Sequence, residues 1–291
     1  MLRLEEELSR AAPGDLPLEA LKSRLLALWE EEDFPGAARE LTEAAWSRPL
    51  EQATELLYWL CEAGVPVAAE AFVVDVARLR PLDDVLETHP AVKEFGGASM
   101  QEMWMSTVAG RVTRGNAAAV YEGLWRSDGD DVLAEAVRRV DSDDDAVALV
   151  LAALSGQPDP AGLTELSRVL ASGRPSDRLG LRVIVGLAEA GRADVATHVL
   201  AVALRRVSYT DVARWMTALR SEQIDILLDL VPRLDDGLLM TMFTSHLWRE
   251  EALFDRLLTA MARQGRLDAL DPTMTRTVAQ AIARWRRSRG Q

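Results

Sequence analysis

The sequence predicts an all-α protein, and three observations support this fold class. Apolar residues recur at helical spacing, no stretch alternates strictly between apolar and polar residues, and glycine and proline fall at the ends of the apolar segments. The segment 50–61, for example, places Leu50, Ala53, Leu56 and Leu60 on one helical face. We expect roughly 14–17 helices of about 10–16 residues each, joined by short turns.

Prolines and short polar runs mark the predicted helix starts. A proline is favourable in the first turn because that turn leaves its amide groups unbonded. The prolines in this position are Pro35, Pro49, Pro81, Pro160 and Pro175. The runs 141–144 and 208–211 combine Ser, Thr and Asp, which are the preferred N-terminal caps.

Three glycines mark predicted helix ends. Gly64, Gly191 and Gly265 each follow a helical run directly, where a residue in the left-handed conformation is needed. Each glycine therefore predicts a tight turn between two helices.

An internal repeat is the most informative feature of the sequence. The segments 60–78 (LCEAGVPVAAEAFVVDVAR) and 187–205 (LAEAGRADVATHVLAVALR) share a leucine, a Glu-Ala-Gly turn, an alanine and a terminal arginine. A weaker third copy begins at Met261 and includes Gly265. Arg-Pro-Leu also occurs twice, at 48–50 and at 80–82, which is an offset of 32 residues.

Such helix–turn–helix units cannot bury their apolar faces alone, and stacking buries them. We therefore predict a right-handed α-solenoid of stacked antiparallel helix hairpins, in one extended domain over residues 1–291. The alternative is an irregular multi-helix bundle, because the glycine turns are unevenly spaced. Candidate breaks lie near 92–100 and 155–160, where Gly, Ser and Pro accumulate.

The LxEAG units and the Arg-Pro-Leu helix starts resemble degenerate αα-hairpin repeats of the tetratricopeptide and pentatricopeptide type, in the divergent form of high-GC actinobacterial proteins. The resemblance covers about 48–82 and 187–206, with weaker support at 250–270. It implies binding of peptides, proteins or RNA rather than catalysis. No position matches a family binding motif, so the resemblance assigns no binding residue.

Composition excludes several classes of protein. With 33 Lys and Arg against 46 Asp and Glu, the net charge of -13 disfavours a protein that grips phosphate backbones. The single cysteine, Cys61, excludes an intramolecular disulfide and a multi-cysteine zinc site, and its Leu-rich surroundings predict a small buried hydrophobic residue. The N-terminus lacks a secretory signal, and the longest uncharged stretches, 146–158 and 237–248, are too short to cross a bilayer. We expect a cytoplasmic protein without a membrane span.

A run of aspartates at 128–145 is the most acidic segment, with Asp128, Asp130, Asp131, Asp141, Asp143, Asp144 and Asp145. A calcium loop starting at Asp141 would need Gly at its sixth position and Glu at its twelfth, and the chain has Ala146 and Ala152 there. We interpret the run as capped, solvated helix starts.

The sequence DDxxE at Asp83, Asp84 and Glu87 comes closest to a magnesium motif of helical terpene synthases. The second metal motif of those enzymes opens with Asn-Asp, and the sole asparagine, Asn116, precedes Ala117. The repeat explains Asp83 and Asp84 as first-turn acids, so we assign no metal and no cofactor.

Catalytic motifs are absent from the sequence. The histidines, His89, His198 and His246, lack metal-ligand spacing, and neither a GxSxG elbow nor a phosphate loop is present. We predict a protein that is not an enzyme.

Eight tryptophans fall within helical patterns: Trp29, Trp46, Trp59, Trp104, Trp125, Trp215, Trp248 and Trp285. Core packing is the expected role of most of them, and a partner groove is the alternative for some.

The C-terminal stretch 276–291 is basic and contains no acid. Arg284, Arg286, Arg287 and Arg289 are the candidate partner-binding residues in it. Favourable charge at a helix C-terminus explains them, and an electrostatic contact with an acidic protein, a nucleic acid or a second copy is the alternative.

These observations predict a non-catalytic scaffold or adaptor that binds another protein or peptide on the surface of a helical repeat array. RNA binding by pentatricopeptide-like repeats is the second hypothesis, and the charge of -13 opposes it. A helical enzyme with magnesium-binding carboxylates is the third.

Overall fold

The structure is a computed structural model that describes residues 14–124, 126–154, 179–206, 219–239, 251–267 and 276–288. Within these ranges every regular element is a helix, which confirms the predicted all-α class. The chain divides into two compact units. Unit 1 comprises Met1–Thr113 with Ala119–Ala136, and unit 2 comprises Arg114–Ala118 with Val137–Gln291.

The helices are numbered in chain order. The first nine are α1 (Leu18–Glu30), α2 (Phe34–Ser47), α3 (Leu50–Glu62), α4 (Pro66–Leu79), α5 (Leu82–Glu87), α6 (His89–Phe95), α7 (Ala98–Ala109), α8 (Ala117–Gly123) and α9 (Arg126–Arg139). The others are α10 (Asp143–Ala153), α11 (Leu179–Glu189), α12 (Ala193–Arg206), α13 (Ser221–Leu230), α14 (Glu251–Arg263) and α15 (Arg276–Ser288). A turn of 3-10 helix, Val231–Arg233, follows α13 directly.

Six helices of unit 1 start at intervals of 16 residues. Helices α1, α2, α3, α4, α5 and α7 begin at residues 18, 34, 50, 66, 82 and 98. They form three helix pairs whose first helices start 32 residues apart. Pair 1 is α1 with α2, pair 2 is α3 with α4, and pair 3 is α5 and α6 with α7.

The first helix of every pair starts in the same way. Pro17, Pro49 and Pro81 precede α1, α3 and α5 with φ of -52°, -51° and -49° and ψ of 143°, 146° and 147°. The pyrrolidine ring fixes this φ, and an acid in the following turn favours the positive end of the helix dipole. The Arg-Pro-Leu pattern predicts the second and third starts but misses the first, because residue 16 is leucine.

The two helices of pairs 1 and 2 are joined by the same left-handed turn. Glu32 and Gly64 have φ of 59° and 71°. The next amide in each turn donates to the carbonyl five residues earlier, from Asp33 to Leu28 at 2.8 Å and from Val65 to Leu60 at 3.3 Å. These bonds satisfy carbonyls that the helix end would leave without partners.

Unit 1 has two layers of helices. Helix α3 packs against α1 and α6 in the first layer, and α4 packs against α2 and α7 in the second. The core lies between the layers. Its residues recur 32 positions apart, as Leu25 with Leu57 and Ala45 with Ala77 do, and all four are buried.

Buried arginines tie each pair to the one before it. Arg48 donates from Nη2 to the Leu16 carbonyl at 2.6 Å, and Arg80 donates to the carbonyls of Ala45 and Arg48, each at 2.5 Å. Ala45 lies in the last turn of α2, where carbonyls have no partner within their own helix. Burial lowers the pKa of Arg48 and of Arg80, so these carbonyl bonds replace solvation that the guanidinium groups lose.

Unit 2 contains two further left-handed glycine turns. Gly191 and Gly265 have φ of 86° and 67°. The arginine that follows each of them bonds back to an earlier carbonyl: Arg192 donates to Leu154 at 3.2 Å and Arg266 donates to Leu234 at 3.1 Å. Helix α11 packs against α10, α12 and α13, while α14 packs against α13 and α15.

The two sequence segments that resemble each other also match in local structure. Leu60 and Leu187 are buried at the ends of α3 and α11, and Ala69 and Ala196 are buried in the helices that follow. The candidate break at 92–100 lies within unit 1, where α6 ends and α7 begins, and the one at 155–160 falls outside the described residues. Of the helices that the structure describes, none has both the length and the apolar character needed to cross a bilayer.

Candidate functional site

The first helices of the three pairs share a solvent-facing stripe, which we call the outer face. It lies opposite the buried residues of each helix, at four positions that recur every 32 residues. The outer face consists of Glu19, Ser23, Leu26 and Glu30 in pair 1, Glu51, Glu55, Tyr58 and Glu62 in pair 2, and Asp83, Glu87, Pro90 and Glu94 in pair 3.

The ends of the outer face are acidic in every pair. Its first position is Glu19, Glu51 or Asp83, and its last position is glutamate in all three helices. Lys22 crosses between α1 and α3, with Nζ 2.7 Å from Glu19 Oε1 and 3.1 Å from Glu55 Oε1. The hydrogen bond with Glu19 is the main cause that raises the pKa of Lys22.

The middle of the outer face has one apolar or aromatic position and one polar position on each helix. The first is Leu26, Tyr58 or Pro90, and the second is Ser23, Glu55 or Glu87. Leu26 is 46% exposed, and the ring of Tyr58 lies 4.2 Å from that of Phe95, which is itself 39% exposed. Beside them Trp29 and Trp59, both half-buried, stack with ring centroids 5.8 Å apart and an interplanar angle of 14°. The tryptophans therefore include a half-buried stacked pair as well as the fully buried Trp104.

The two units differ strongly in charge. Unit 1 contains 11 Lys and Arg against 26 Asp and Glu, a net charge of -15, whereas unit 2 contains 22 against 20, a net charge of +2. The acidity of the chain is thus concentrated in the unit that carries the outer face.

A buried polar cluster lies in the third pair. His89 Nε2 is 2.9 Å from Asp128 Oδ2, and Lys93 Nζ is 2.8 Å from Asp128 Oδ1. The imidazole also stacks on Trp104, with ring centroids 5.4 Å apart. His89 stands 32 residues after Leu57, so the cluster replaces an apolar core contact of the earlier pairs.

A break in the helix positions this histidine. The first helix of pair 3 stops after Glu87 and resumes as α6, with Pro90 in its first turn. Thr88 Oγ1 donates to the Val85 carbonyl at 2.7 Å, which stabilises the end of α5.

The cluster is enclosed by the fold. His89 and Asp128 are each 3% exposed, and burial is the main cause that lowers the pKa of His89. A general base needs a substrate within hydrogen-bond reach. An imidazole this enclosed instead fits a structural link between α6 and α9.

The candidate metal residues do not converge. Asp84 is bound by Arg80, with Nη1 3.5 Å from Oδ2, while Asp83 and Glu87 are exposed on the outer face. Among the described residues, no group of three or more His, Cys, Asp or Glu side chains comes together in a way that could hold a metal ion.

The aspartate run divides into two environments. Ser142 Oγ caps α10 by accepting a hydrogen bond from the Asp145 amide at 3.1 Å. As predicted, the helix start is solvated, with Asp141, Asp144 and Asp145 exposed. The hydrogen bond from Ser142 is the main cause that lowers the pKa of Asp145. The prediction of a solvated helix start is wrong for Asp128 and Asp130, which are 3% and 2% exposed. Their burial depends on tertiary packing of α9, which the local sequence does not specify.

The other predicted residues have varied surroundings. Arg284 and Arg287 are exposed on α15 and Arg286 is half-buried, while Arg289 lies outside the described residues. Cys61 is partly exposed rather than buried, because it stands beside the core positions of α3, and burial still raises the pKa of its thiol.

Tryptophans also depart from the predicted core role. Trp46 is 58% exposed near the end of α2, whereas Trp285 is buried on α15. Trp125, Trp215 and Trp248 lie outside the described residues.

Neither the outer face nor the link from His89 to Asp128 was predicted from the sequence. Extending the offset of 32 residues back to Pro17 and forward along each helix would align the outer-face positions. No family model, curated protein or solved structure matches the chain.

Proposed function

We propose that the chain is a non-catalytic scaffold that binds another protein or peptide on the outer face of unit 1. We further propose that its helix pairs are degenerate repeats of the tetratricopeptide or pentatricopeptide type, stacked as a right-handed α-solenoid. Stacked pairs of this kind create an extended surface for recognition.

The regular spacing of the helix pairs in unit 1 is the observation that supports this proposal most. The first helices of the pairs start 32 residues apart, and Arg48 and Arg80 bond pairs 2 and 3 to the backbone of the preceding pair. These bonds hold the first helices side by side and fix the relative positions of their exposed side chains. A rigid surface binds with a smaller loss of conformational entropy than a flexible one.

Site-specific photo-crosslinking tests the proposal. A benzophenone amino acid replaces Leu26 on the outer face or, as a matched control, Leu79 at the end of α4; these leucines are 46% and 42% exposed. We expect a discrete protein adduct from position 26 and not from position 79 in nuclease-treated lysate of the native cell. Mass spectrometry then identifies the adduct.

Two outcomes would contradict the proposal. Equal labelling from both positions would indicate nonspecific contact. Adducts that disappear on nuclease treatment would favour the RNA-binding hypothesis, which the charge of -15 on unit 1 opposes.

A further inference from the structure

We infer that the partner of the outer face is a cationic amphipathic segment of another protein, with apolar side chains along its middle and Arg or Lys on both sides. This inference rests on the proposed function and specifies the chemistry of the partner. It follows from the arrangement of charge and apolar surface across three neighbouring helices.

The apolar position in the middle of the outer face, with Leu26 and Tyr58, supplies the anchor. Leu26 is 46% exposed, and Phe95, whose ring contacts that of Tyr58, is 39% exposed. The side chains around them on the three helix exteriors are mostly polar. A partner that covers these side chains removes apolar surface from water, which stabilises the complex.

Carboxylates on both sides of this middle select the charge of the partner. Glu30, Glu62 and Glu94 are exposed at equivalent positions on one side, and Glu19, Glu51 and Asp83 are exposed on the other. Such a pattern attracts Arg and Lys, repels acidic segments and nucleic acid, and accelerates association at low salt.

The stacked tryptophans favour arginine among the cations. Trp29 directly precedes Glu30, and Trp59 lies one turn before Glu62, so the half-buried indole rings and the carboxylates share one end of the face. A guanidinium group can stack on an indole ring while it donates to a carboxylate, which an ammonium group does less well.

Fluorescence anisotropy with a defined probe tests the inference on the full-length chain. The probe is a labelled 18-residue helical peptide with a leucine stripe flanked by arginines, and a second peptide carries glutamate in place of every arginine. We expect binding of the arginine peptide at low salt, weakening as salt is added, and no binding of the glutamate peptide.

Matched variants separate the position of the charges from their number. The triple variant Glu30→Gln, Glu62→Gln, Glu94→Gln removes three carboxylates from the outer face, and the control Glu70→Gln, Glu102→Gln, Glu122→Gln removes three from other helices of unit 1. We expect the Kd to rise about tenfold in the first variant and less than about twofold in the second. Leu26→Ser should also weaken binding several-fold, whereas Leu79→Ser should not.

Three results would overturn the inference. Equal effects of the two triple variants would mean that net charge alone attracts the peptide, and equal binding of the glutamate peptide would exclude charge selection. Sedimentation velocity provides the third result. If the chain forms salt-sensitive dimers, and if the double variant Arg284→Glu, Arg287→Glu abolishes them, the occupant of the outer face is a second copy. If any of these results is obtained while crosslinking from position 26 still gives a discrete protein adduct, the scaffold proposal stands and the inferred chemistry of the partner is wrong.

Discussion

The first two helix pairs of unit 1 and the third pair start from the same pattern and differ in how they use it. Pairs 1 and 2 have unbroken first helices and left-handed turns at Glu32 and Gly64. In pair 3 the first helix breaks after Glu87, and Gly96, at the equivalent position, has φ of -77° and ψ of 125°. All three pairs thus start at a proline, and buried arginines link pairs 2 and 3 to the preceding pair, while a few residues decide what each pair contacts.

The core contact changes together with the backbone. Leu25 and Leu57 fill the space between the layers in pairs 1 and 2, whereas His89 in pair 3 bonds to Asp128 on α9. A buried imidazole and carboxylate add a directional link where leucines would add apolar contact alone. Pair 3 is therefore specialised for its neighbour α9.

Removing the bonds that tie pair 3 to pair 2 should have the largest effect. Arg80→Met deletes the donors to the Ala45 and Arg48 carbonyls and leaves both acceptors in a buried site. We expect the free energy of unfolding to fall by about 3–5 kcal/mol, measured by urea denaturation.

Arg78 provides the control for this variant. Its side chain is 61% exposed and pairs with Asp75 one turn earlier, so Arg78→Met should cost no more than about 0.5 kcal/mol. Equal losses in the two variants would show that the carbonyl bonds do not hold the pairs together.

The link from His89 to Asp128 should make unfolding depend on pH. Burial lowers the pKa of His89 in the folded chain, so below its unfolded value of about 6.5 the unfolded chain binds more protons. The contribution of neutral His89 to the free energy of unfolding should therefore be fully present above pH 6.5. It should be lost as the pH drops from there toward the folded pKa, by at most about 1.4 kcal/mol per pH unit.

The variant His89→Gln isolates this contribution, because it retains a polar side chain beside Asp128 and Lys93. Urea denaturation at pH 7.5 and 5.5 should give a smaller difference between the two pH values in the variant than in the wild type. Identical differences would show that protonation of His89 does not affect stability in this range.

The sequence alone could predict the local features and not the long-range ones. Helical periodicity identified α3, and the glycines at 64, 191 and 265 were recognised because the left-handed conformation favours that residue. The turn at Glu32 escaped because glutamate carries no such signal. The prediction of a solvated acidic run was wrong for Asp128, because the residue that it contacts, His89, stands 39 residues earlier in the chain.

The turns of pairs 1 and 2 offer the smallest and most closely matched test. Glu32 and Gly64 occupy equivalent positions at φ of 59° and 71°, and a methyl group added at Gly64 would meet nothing within 4 Å. Gly64→Ala should therefore cost about 1 kcal/mol through backbone strain alone, and Gly191→Ala should cost the same. Glu32→Gly should have the opposite sign and stabilise the fold by about 0.5 kcal/mol, because relief of strain exceeds the added freedom of the unfolded chain. Thermal unfolding of the three variants measures the size and the sign of each change in stability. A loss of stability in Glu32→Gly would mean that the turn of pair 1 depends on the glutamate side chain rather than on the left-handed backbone that it shares with pair 2.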